Sequence, residues 1–377
     1  MAASSMATAQ PASKATGTGQ PWTHRHLLQL RGLSPAELRR VLALARVYRG
    51  RIGASPLSES GGKQGTELAG RVVANLFFED STRTRVSFSV AARRLGAEVI
   101  DLTSAGSSVS KGETVIDTAA NVAAMGVDAV VIRHRSSGAP HMVVRALEQL
   151  HDAYSRTPER APAFVGAGGG HGCTVVNAGD GRHEHPTQGL LDIYTVAEAF
   201  GRLDGFDLSG LTVGILGDIA SSRVARSGVA GLTALGAKVV CIGPPTLAPL
   251  SLRSLGCEVR HDLDGVLESL DVLNVLRIQF ERHEVGGGKA GGENKPAAIS
   301  SNAIASIREY AEFYALDAQR AARLKPGAII MHPGPINRGV EITSDVADGE
   351  RSVVLRQVSH GVAVRMAVLA LCMGAVG

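Results

Sequence analysis

Short apolar runs that suit buried β-strands alternate along the chain with patterns that suit amphipathic helices. Phe88, Ala91 and Leu95 recur at helical spacing between two such runs, and Gly96 is placed to end that helix. Strands are predicted at residues 71–78, 98–102, 129–133, 212–216, 238–242, 272–275 and 328–331. Repeated βαβ units favour parallel sheets covered by helices on both faces, with ligands bound beyond the carboxyl ends of the strands.

Length and charge narrow the class of protein. A chain of 377 residues suits about two domains. The net charge of +4 is mild, and basic residues stand singly or in pairs, which indicates small anionic ligands and no nucleic acid. Four scattered cysteines suggest reduced thiols and a cytoplasmic protein. The apolar run at 366–377 is too short to span a membrane, and residues 1–21 are expected to form a disordered tail.

The turn after the first predicted strand carries the sharpest chemical signal. Ser81, Thr82 and Thr84 place hydroxyl groups at a helix start, and Arg83 and Arg85 add positive charge. The unpaired N–H groups of a helix N-terminus attract anions, so the turn predicts a phosphate cradle. The alternative is a helix that Ser81 merely caps, with two solvated arginines.

Residues 77–88 resemble the carbamoyl-phosphate signature of the transcarbamoylase family, and further motifs follow in the family's order. The segment 107–114 resembles a mobile loop that reaches into a neighbouring subunit, which implies that Ser107 and Lys111 serve a shared site. Without the resemblance, Lys111 would be an ordinary solvated charge. Arg133 resembles the arginine that touches both phosphate and carbamoyl oxygen, whereas His134 is interpreted as a packed residue.

A motif at 177–188 is long and specific. The resemblance implies that His185 donates to the carbamoyl oxygen and that Gln188 contacts the amide nitrogen. Such donors would stabilise the charge that grows on the oxygen, and nearby cations should keep His185 neutral. Zinc is the alternative for His183 and its neighbours, but no recognised ligand spacing supports a metal, and no metal or cofactor is predicted.

Two turns in the second half resemble the family's acceptor-binding segments. The resemblance implies that Arg223, Arg277 and Gln279, together with Lys111, hold the acceptor's carboxylates, which suits aspartate. By itself Arg277 would be an ordinary strand-end arginine. A Gly-x-Gly-x-x-Gly pattern at 286–291 follows no predicted strand and is interpreted as chance.

The segment from His332 to Ile342 separates branches within the family. Aspartate-using members carry His-Pro-x-Pro here, and ornithine-using members carry His-Cys-Leu-Pro. This chain has Pro333, Gly334 and Pro335, and the rigid turn would place backbone carbonyls near the carbamoyl NH₂ group.

The resemblance implies a transferase of pyrimidine biosynthesis that moves the carbamoyl group of carbamoyl phosphate to L-aspartate. Its fold would be two doubly wound parallel-sheet α/β domains of similar size. The carbamoyl-phosphate domain would span 22–186 and be completed by a returning helix at 359–377, and the aspartate domain would span 187–358. A homotrimer with shared sites is implied. A dihydroorotase or regulatory chains are the further partner classes, between which the motifs do not choose. The alternatives are another acceptor such as ornithine, or a non-catalytic carbamoyl-phosphate-binding regulator.

Overall fold

The protein is described by a computed structural model that covers residues 21–53, 65–103, 113–155, 172–278 and 306–376. The predicted loop residues Ser107, Lys111 and Gln279, the tail at 1–20, most of the insertion at 151–172 and the glycine pattern at 286–291 lie outside these ranges.

The first half forms a four-stranded, fully parallel sheet. Its strands are β1 (Val72–Phe77), β2 (Glu98–Thr103), β3 (Ala129–His134) and β4 (Thr174–Asp180), in the order β2-β1-β3-β4. Its helices are α1 (Pro35–Gly53), α2 (Thr82–Arg94), α3 (Val115–Ala124) and α4 (Ala139–Ser155). Three of these strands agree with the sequence predictions, whereas β4 is not predicted because Asn, Gly and Asp interrupt its apolar run.

The second half forms a five-stranded parallel sheet in the order β7-β6-β5-β8-β9. These strands are β5 (Thr212–Leu216), β6 (Lys238–Ile242), β7 (Glu258–Arg260), β8 (Val272–Val275) and β9 (Ile329–Met331). The helices are α6 (Arg223–Ala234), α7 (Ile307–Tyr314), α8 (Ala318–Ala322) and α9 (Ser344–Ala347). The prediction of two doubly wound parallel sheets is confirmed.

Two long helices join the halves. Helix α5 (Pro186–Ala199) packs on α6, and a Cβ at Gly189 would lie 2.9 Å from the Cβ of Ser227, so glycine permits this close approach. Helix α10 (Val354–Cys372) returns to α1, α2 and α5 as predicted, but it begins at Val354 and not near Ser359. The predicted domain boundary between residues 186 and 187 lies at the first turn of α5.

Helix α10 is also long and apolar enough to be a membrane-span candidate by length and composition. Of its most apolar window, 67% is buried inside the protein, which is typical of a core helix.

Local sequence explains where key helices begin. Ser34 and Glu37 cap the N-terminus of α1: Glu37 Oε2 accepts from the Ser34 amide at 2.7 Å, and the Ser34 hydroxyl accepts from the Glu37 amide at 3.3 Å. This reciprocal pair is a capping box of the Ser-x-x-Glu type.

The strand order determines where ligands can bind. In each sheet the order in which strands are added changes direction at one point. This point lies between β1 and β3 in the first sheet and between β5 and β8 in the second. At such switch points the connecting loops diverge and leave a crevice at the carboxyl ends of the strands. The carboxyl ends of these four strands and the segments after them contain the predicted phosphate-binding and acceptor-binding arginines.

Candidate active site

A cavity of about 440 Å³ lies between the two crevices. Every predicted site residue that the structure describes lines it: Ser81, Thr82, Arg83, Thr84, Arg133, His185, Gln188, Arg223, Arg277, Gly334 and Pro335. The two halves therefore contribute to one space, although the motifs are spread over more than 250 residues.

The start of α2 has the features of an anion site. Ser81 is the N-cap residue, yet its side chain makes no capping hydrogen bond, and Thr84 is buried one turn into the helix. Arg83 extends towards the loop after β9, because a Cβ at Gly334 would lie 2.8 Å from its guanidinium. Arg85, which the sequence analysis placed in the same phosphate cradle, does not line the cavity.

Glu79 connects two of the predicted ligand-binding arginines. Arg223 donates to both Glu79 carboxylate oxygens at 2.8 Å, and Arg133 approaches the same carboxylate at 3.4 Å. Gly179, at φ +112°, lies against both arginines; a Cβ there would be 3.0 Å from Arg223 Nε. Any larger residue would separate the guanidinium groups.

His185 lies at the bottom of the cavity with 3% of its surface exposed. Burial, followed by the charges of Arg133, Arg365 and Arg223, holds its pKa well below 6.5, so the ring is neutral at physiological pH. The prediction of a neutral ring named the cations as the cause, whereas burial is the larger one. The His185 amide donates to the Ser227 hydroxyl at 2.9 Å, which in turn donates to Glu184 at 2.7 Å.

The loop after β9 is held by an internal hydrogen-bond network. The Gly334 amide donates to His332 Nδ1 at 2.7 Å, so Nε2 carries the ring proton and donates to Glu341 at 3.2 Å. Gly334 has φ +62°, and the Gly334–Pro335 peptide bond is cis. The loop therefore presents backbone groups to the cavity in a defined arrangement.

The cavity carries an excess of positive charge. Its lining includes five arginines and three carboxylates: Arg83, Arg133, Arg223, Arg277 and Arg365, and Glu79, Asp80 and Asp218. Burial and the neighbouring Arg277 lower the pKa of Arg83, which indicates that like charges are held close together. Such an arrangement favours ligands with several negative charges.

Several residues that line the cavity have no role predicted from the sequence, and Glu79, Gln357 and Arg365 are among them. Arg365 is fully buried in α10 and donates to the Ser87 hydroxyl at 2.8 Å. An arginine within the apolar second half of α10 is a signal that could have identified it.

The histidines near the site have structural partners. His134 packs edge-on against Phe78 with ring centroids 5.5 Å apart, as predicted for a packed residue. Among the described residues, one group of potential metal ligands comes together, formed by His141, Asp180 and His183 within 4.8 Å. Asp180 already accepts from the Gly138 amide at 2.6 Å and from His183 at 3.0 Å, so its lone pairs have partners.

Family models match both halves of the chain. The carbamoyl-phosphate-binding domain of aspartate/ornithine carbamoyltransferases matches residues 25–198, and the Asp/Orn-binding domain matches residues 209–372.

Individual relatives agree with these models. The aspartate carbamoyltransferase catalytic subunit of Myxococcus xanthus is 48% identical over 349 residues, covering 92% of this chain and 99% of the relative. That of Gluconacetobacter diazotrophicus is 46% identical over 351 residues, covering 93% and 94%.

Solved structures share the fold. Aspartate transcarbamoylase from Trypanosoma cruzi, in complex with carbamoyl phosphate and aspartate, superposes with a TM-score of 0.71 at 26% identity, covering 93% of this chain and 95% of that one. Ornithine carbamoyltransferase from Pyrococcus furiosus gives 0.72 at 25% identity, covering 95% and 100%. The motifs, the paired parallel sheets and these matches together establish that the chain belongs to the aspartate/ornithine carbamoyltransferase family.

Proposed function

We propose that this protein transfers the carbamoyl group of carbamoyl phosphate to the amino group of L-aspartate, giving N-carbamoyl-L-aspartate and phosphate. The observation that carries the proposal is that one cavity is lined both by a helix N-terminus suited to phosphate and by two arginines suited to carboxylates. Relatives at 46–48% identity are named aspartate carbamoyltransferase catalytic subunits.

The donor would bind at the first sheet. Ser81, Thr82, Arg83 and Thr84 line the cavity at the N-terminus of α2, where backbone N–H groups and the helix dipole favour a phosphate. Arg133 lies at the end of β3, beside this helix, and would contact phosphate and carbamoyl oxygen together.

The acceptor would bind at the second sheet. Arg223 begins α6 and Arg277 follows β8, so both side chains come from the switch point between β5 and β8. Two guanidinium groups match a dicarboxylate in charge, because each can donate several hydrogen bonds to carboxylate oxygens. Arg223 already donates from Nη1 and Nη2 to Glu79, so its contact with the acceptor would use its remaining N–H groups. Gln279 and Lys111, outside the described residues, complete the proposed acceptor set.

The chemistry requires positioning more than an enzyme nucleophile, because the donor is already activated. The aspartate nitrogen attacks the carbamoyl carbon, the carbon–oxygen bond to phosphate breaks, and the electron pair leaves with the phosphate. The phosphate then takes the proton that the amine loses. Thr84, Arg133 and a single N–H of neutral His185 would stabilise the negative charge on the carbamoyl oxygen.

The acceptor is tested by supplying the purified protein with carbamoyl phosphate and either aspartate or ornithine and measuring the carbamoylated product. We expect carbamoylated product when aspartate is the acceptor and none when ornithine is the acceptor. Transfer to ornithine but not to aspartate would overturn the acceptor assignment. The assay is needed because an ornithine carbamoyltransferase has the same fold. Absence of transfer to both would favour the non-catalytic regulator.

We also propose a cytoplasmic homotrimer in which Ser107 and Lys111 of one subunit complete the neighbour's site. One observation supports the assembly: Ser107 and Lys111 follow β2 in the chain, and β2 is the edge strand of the first sheet, where Ile100 is 43% exposed. The proposed location is supported by the four cysteines, which are free and buried, as suits a reducing compartment.

A further inference from the structure

Asp192 lies in the middle of α5, directly behind the cavity wall, with 2% of its surface exposed. Three side-chain amides converge on its carboxylate. Gln188 donates to Oδ1 at 2.9 Å, Gln357 donates to the same oxygen at 2.6 Å, and Asn274 donates to Oδ2 at 3.4 Å. A buried carboxylate with this number of amide donors is a defined hydrogen-bond acceptor.

This contact determines which way the Gln188 amide faces. Its Nε2 is directed to Asp192, so its Oε1 is the group left to meet a ligand in the cavity that Gln188 lines. A carbonyl oxygen accepts hydrogen bonds and cannot donate. The site therefore offers an acceptor where a donor group of the ligand, such as an amide NH₂, would lie.

The same carboxylate acts on a second cavity wall. Gln357 directs its Nε2 to Asp192 and accepts from the His332 amide through Oε1 at 3.1 Å. His332 begins the loop that carries Gly334 and Pro335, so Asp192 is linked through one side chain to the backbone of that loop. Both groups proposed to meet the carbamoyl NH₂ are thus oriented from one buried residue.

We infer that Asp192 is a specificity-determining positioning residue, which orients Gln188 and the loop after β9 so that the site selects an NH₂-bearing acyl phosphate over its methyl analogue. The inference rests on the proposed function. Carbamoyl phosphate and acetyl phosphate have nearly the same shape and charge, and they differ in whether this group can donate a hydrogen bond. A site built around acceptors discriminates strongly against the analogue that cannot donate.

Asn274 suggests how the carboxylate can be replaced without losing the geometry. Its Oδ1 is buried and has no hydrogen-bond partner among the residues that the structure describes. An asparagine at position 192 could keep both glutamine contacts on its oxygen and direct its NH₂ group to Asn274 after that amide rotates. Leucine has a similar size and offers no acceptor, so it removes the orientation of both glutamines.

The test compares kcat/KM for carbamoyl phosphate and acetyl phosphate, with aspartate as acceptor, in the full-length protein and its variants. We expect Asp192→Leu to lower the preference for carbamoyl phosphate at least about tenfold, the equivalent of one lost hydrogen bond. Asp192→Asn should keep the preference within about threefold, because the acceptor is retained. Thr195→Val is the matched control on the same helix: it removes a buried hydroxyl that contacts Leu191 and His360, and it should keep the wild-type preference.

Loss of general stability would lower both rates in parallel, so the ratio separates positioning from structural damage. An unchanged ratio in folded Asp192→Leu would overturn the inference, as would an Asp192→Asn variant that loses the preference to the same extent as leucine. If circular dichroism finds Asp192→Leu unfolded, Asp192→Ala, which also removes the acceptor of both glutamines, decides by the same criterion. A wild-type protein that carbamoylates no aspartate would refute the proposed function, which is a separate outcome.

Discussion

Arg223 and Glu79 form a two-pronged ion pair between the two halves of the protein, with both hydrogen bonds at 2.8 Å. Glu79 follows β1 of the first sheet, and Arg223 begins α6 of the second, so this contact stabilises one relative placement of the two crevices. The arginine side chain is 5% exposed and the glutamate side chain 26%, which limits screening by water.

Breaking this pair should destabilise the protein. We expect Glu79→Gln to lower the free energy of unfolding by about 1–3 kcal/mol, because Arg223 and Arg133 lose their shared counter-charge. Urea unfolding measures the change. A double-mutant cycle with Arg223→Lys should give a non-additive result.

The exposed pair between Arg338 and Asp348 provides the control. Asp348→Asn should leave the urea midpoint close to that of wild type, because exposed ion pairs contribute little to stability. Equal costs for the two pairs would contradict a special role of the pair between Glu79 and Arg223.

The two arginines of the α2 turn should differ in effect. Arg83→Ala is expected to lower kcat/KM for carbamoyl phosphate by about 100-fold, because a charge proposed to contact the leaving phosphate is removed. Arg85→Ala, in the same turn but outside the cavity lining, should stay within about threefold of wild type. Steady-state kinetics at saturating aspartate distinguishes the two variants. Comparable losses of kcat/KM in both would contradict the proposed division of roles between Arg83 and Arg85.

His185 should remain neutral through the physiological range. Burial and three nearby arginines hold its pKa well below 6.5, so its ring resonances should not titrate between pH 6 and pH 8. Nitrogen-15 NMR of the labelled protein measures this directly, with the His185→Gln variant used to assign the signal. A titration midpoint near pH 6.5 would contradict the environment described for the ring.

Asp192 should make stability depend on pH. Burial raises the pKa of this carboxyl to about 7 from an ordinary 3.8. Between these values the folded protein binds more protons than the unfolded chain, so this group's contribution falls as pH rises from about 4 to about 7. Asp192→Asn lacks this loss, so its free energy of unfolding should rise by about 2 kcal/mol relative to that of wild type from pH 5 to pH 8. Urea midpoints at both values measure the difference, and a pH-independent difference would contradict the raised pKa.

The shared site of the proposed trimer can be tested by mixing two inactive variants. Lys111→Ala supplies Arg83, and Arg83→Ala supplies Lys111 to its neighbour. After unfolding and refolding an equal mixture, about one quarter of sites should contain both native residues in a cyclic trimer. Activity near that fraction supports the shared site. Mixed trimers, verified by mass spectrometry, that regain no activity would exclude it.

Residue patterns predicted much of the fold because the pattern of apolar residues in a strand or helix is contained within that element. The strands at 212–216, 238–242 and 272–275 agree with β5, β6 and β8, since continuous apolar runs mark strands that are covered on both faces. The strand β4 was not predicted, because it contains polar residues that contribute to the site that follows it. Its Asn177 directs Nδ2 to Asp180 at 2.7 Å, a contact that no periodicity indicates.

The sequence by itself determined the family, the parallel sheets and the set of motifs that meet at the cavity, because those motifs follow strands whose carboxyl ends share one edge. Only the tertiary structure decided their partners. Glu79 meets Arg223 across 144 positions, and Asp192 meets Gln357 across 165. The charge state of a buried group depends on such neighbours and on the water that they exclude. Those are properties of packing between distant segments, which no single stretch of residues contains.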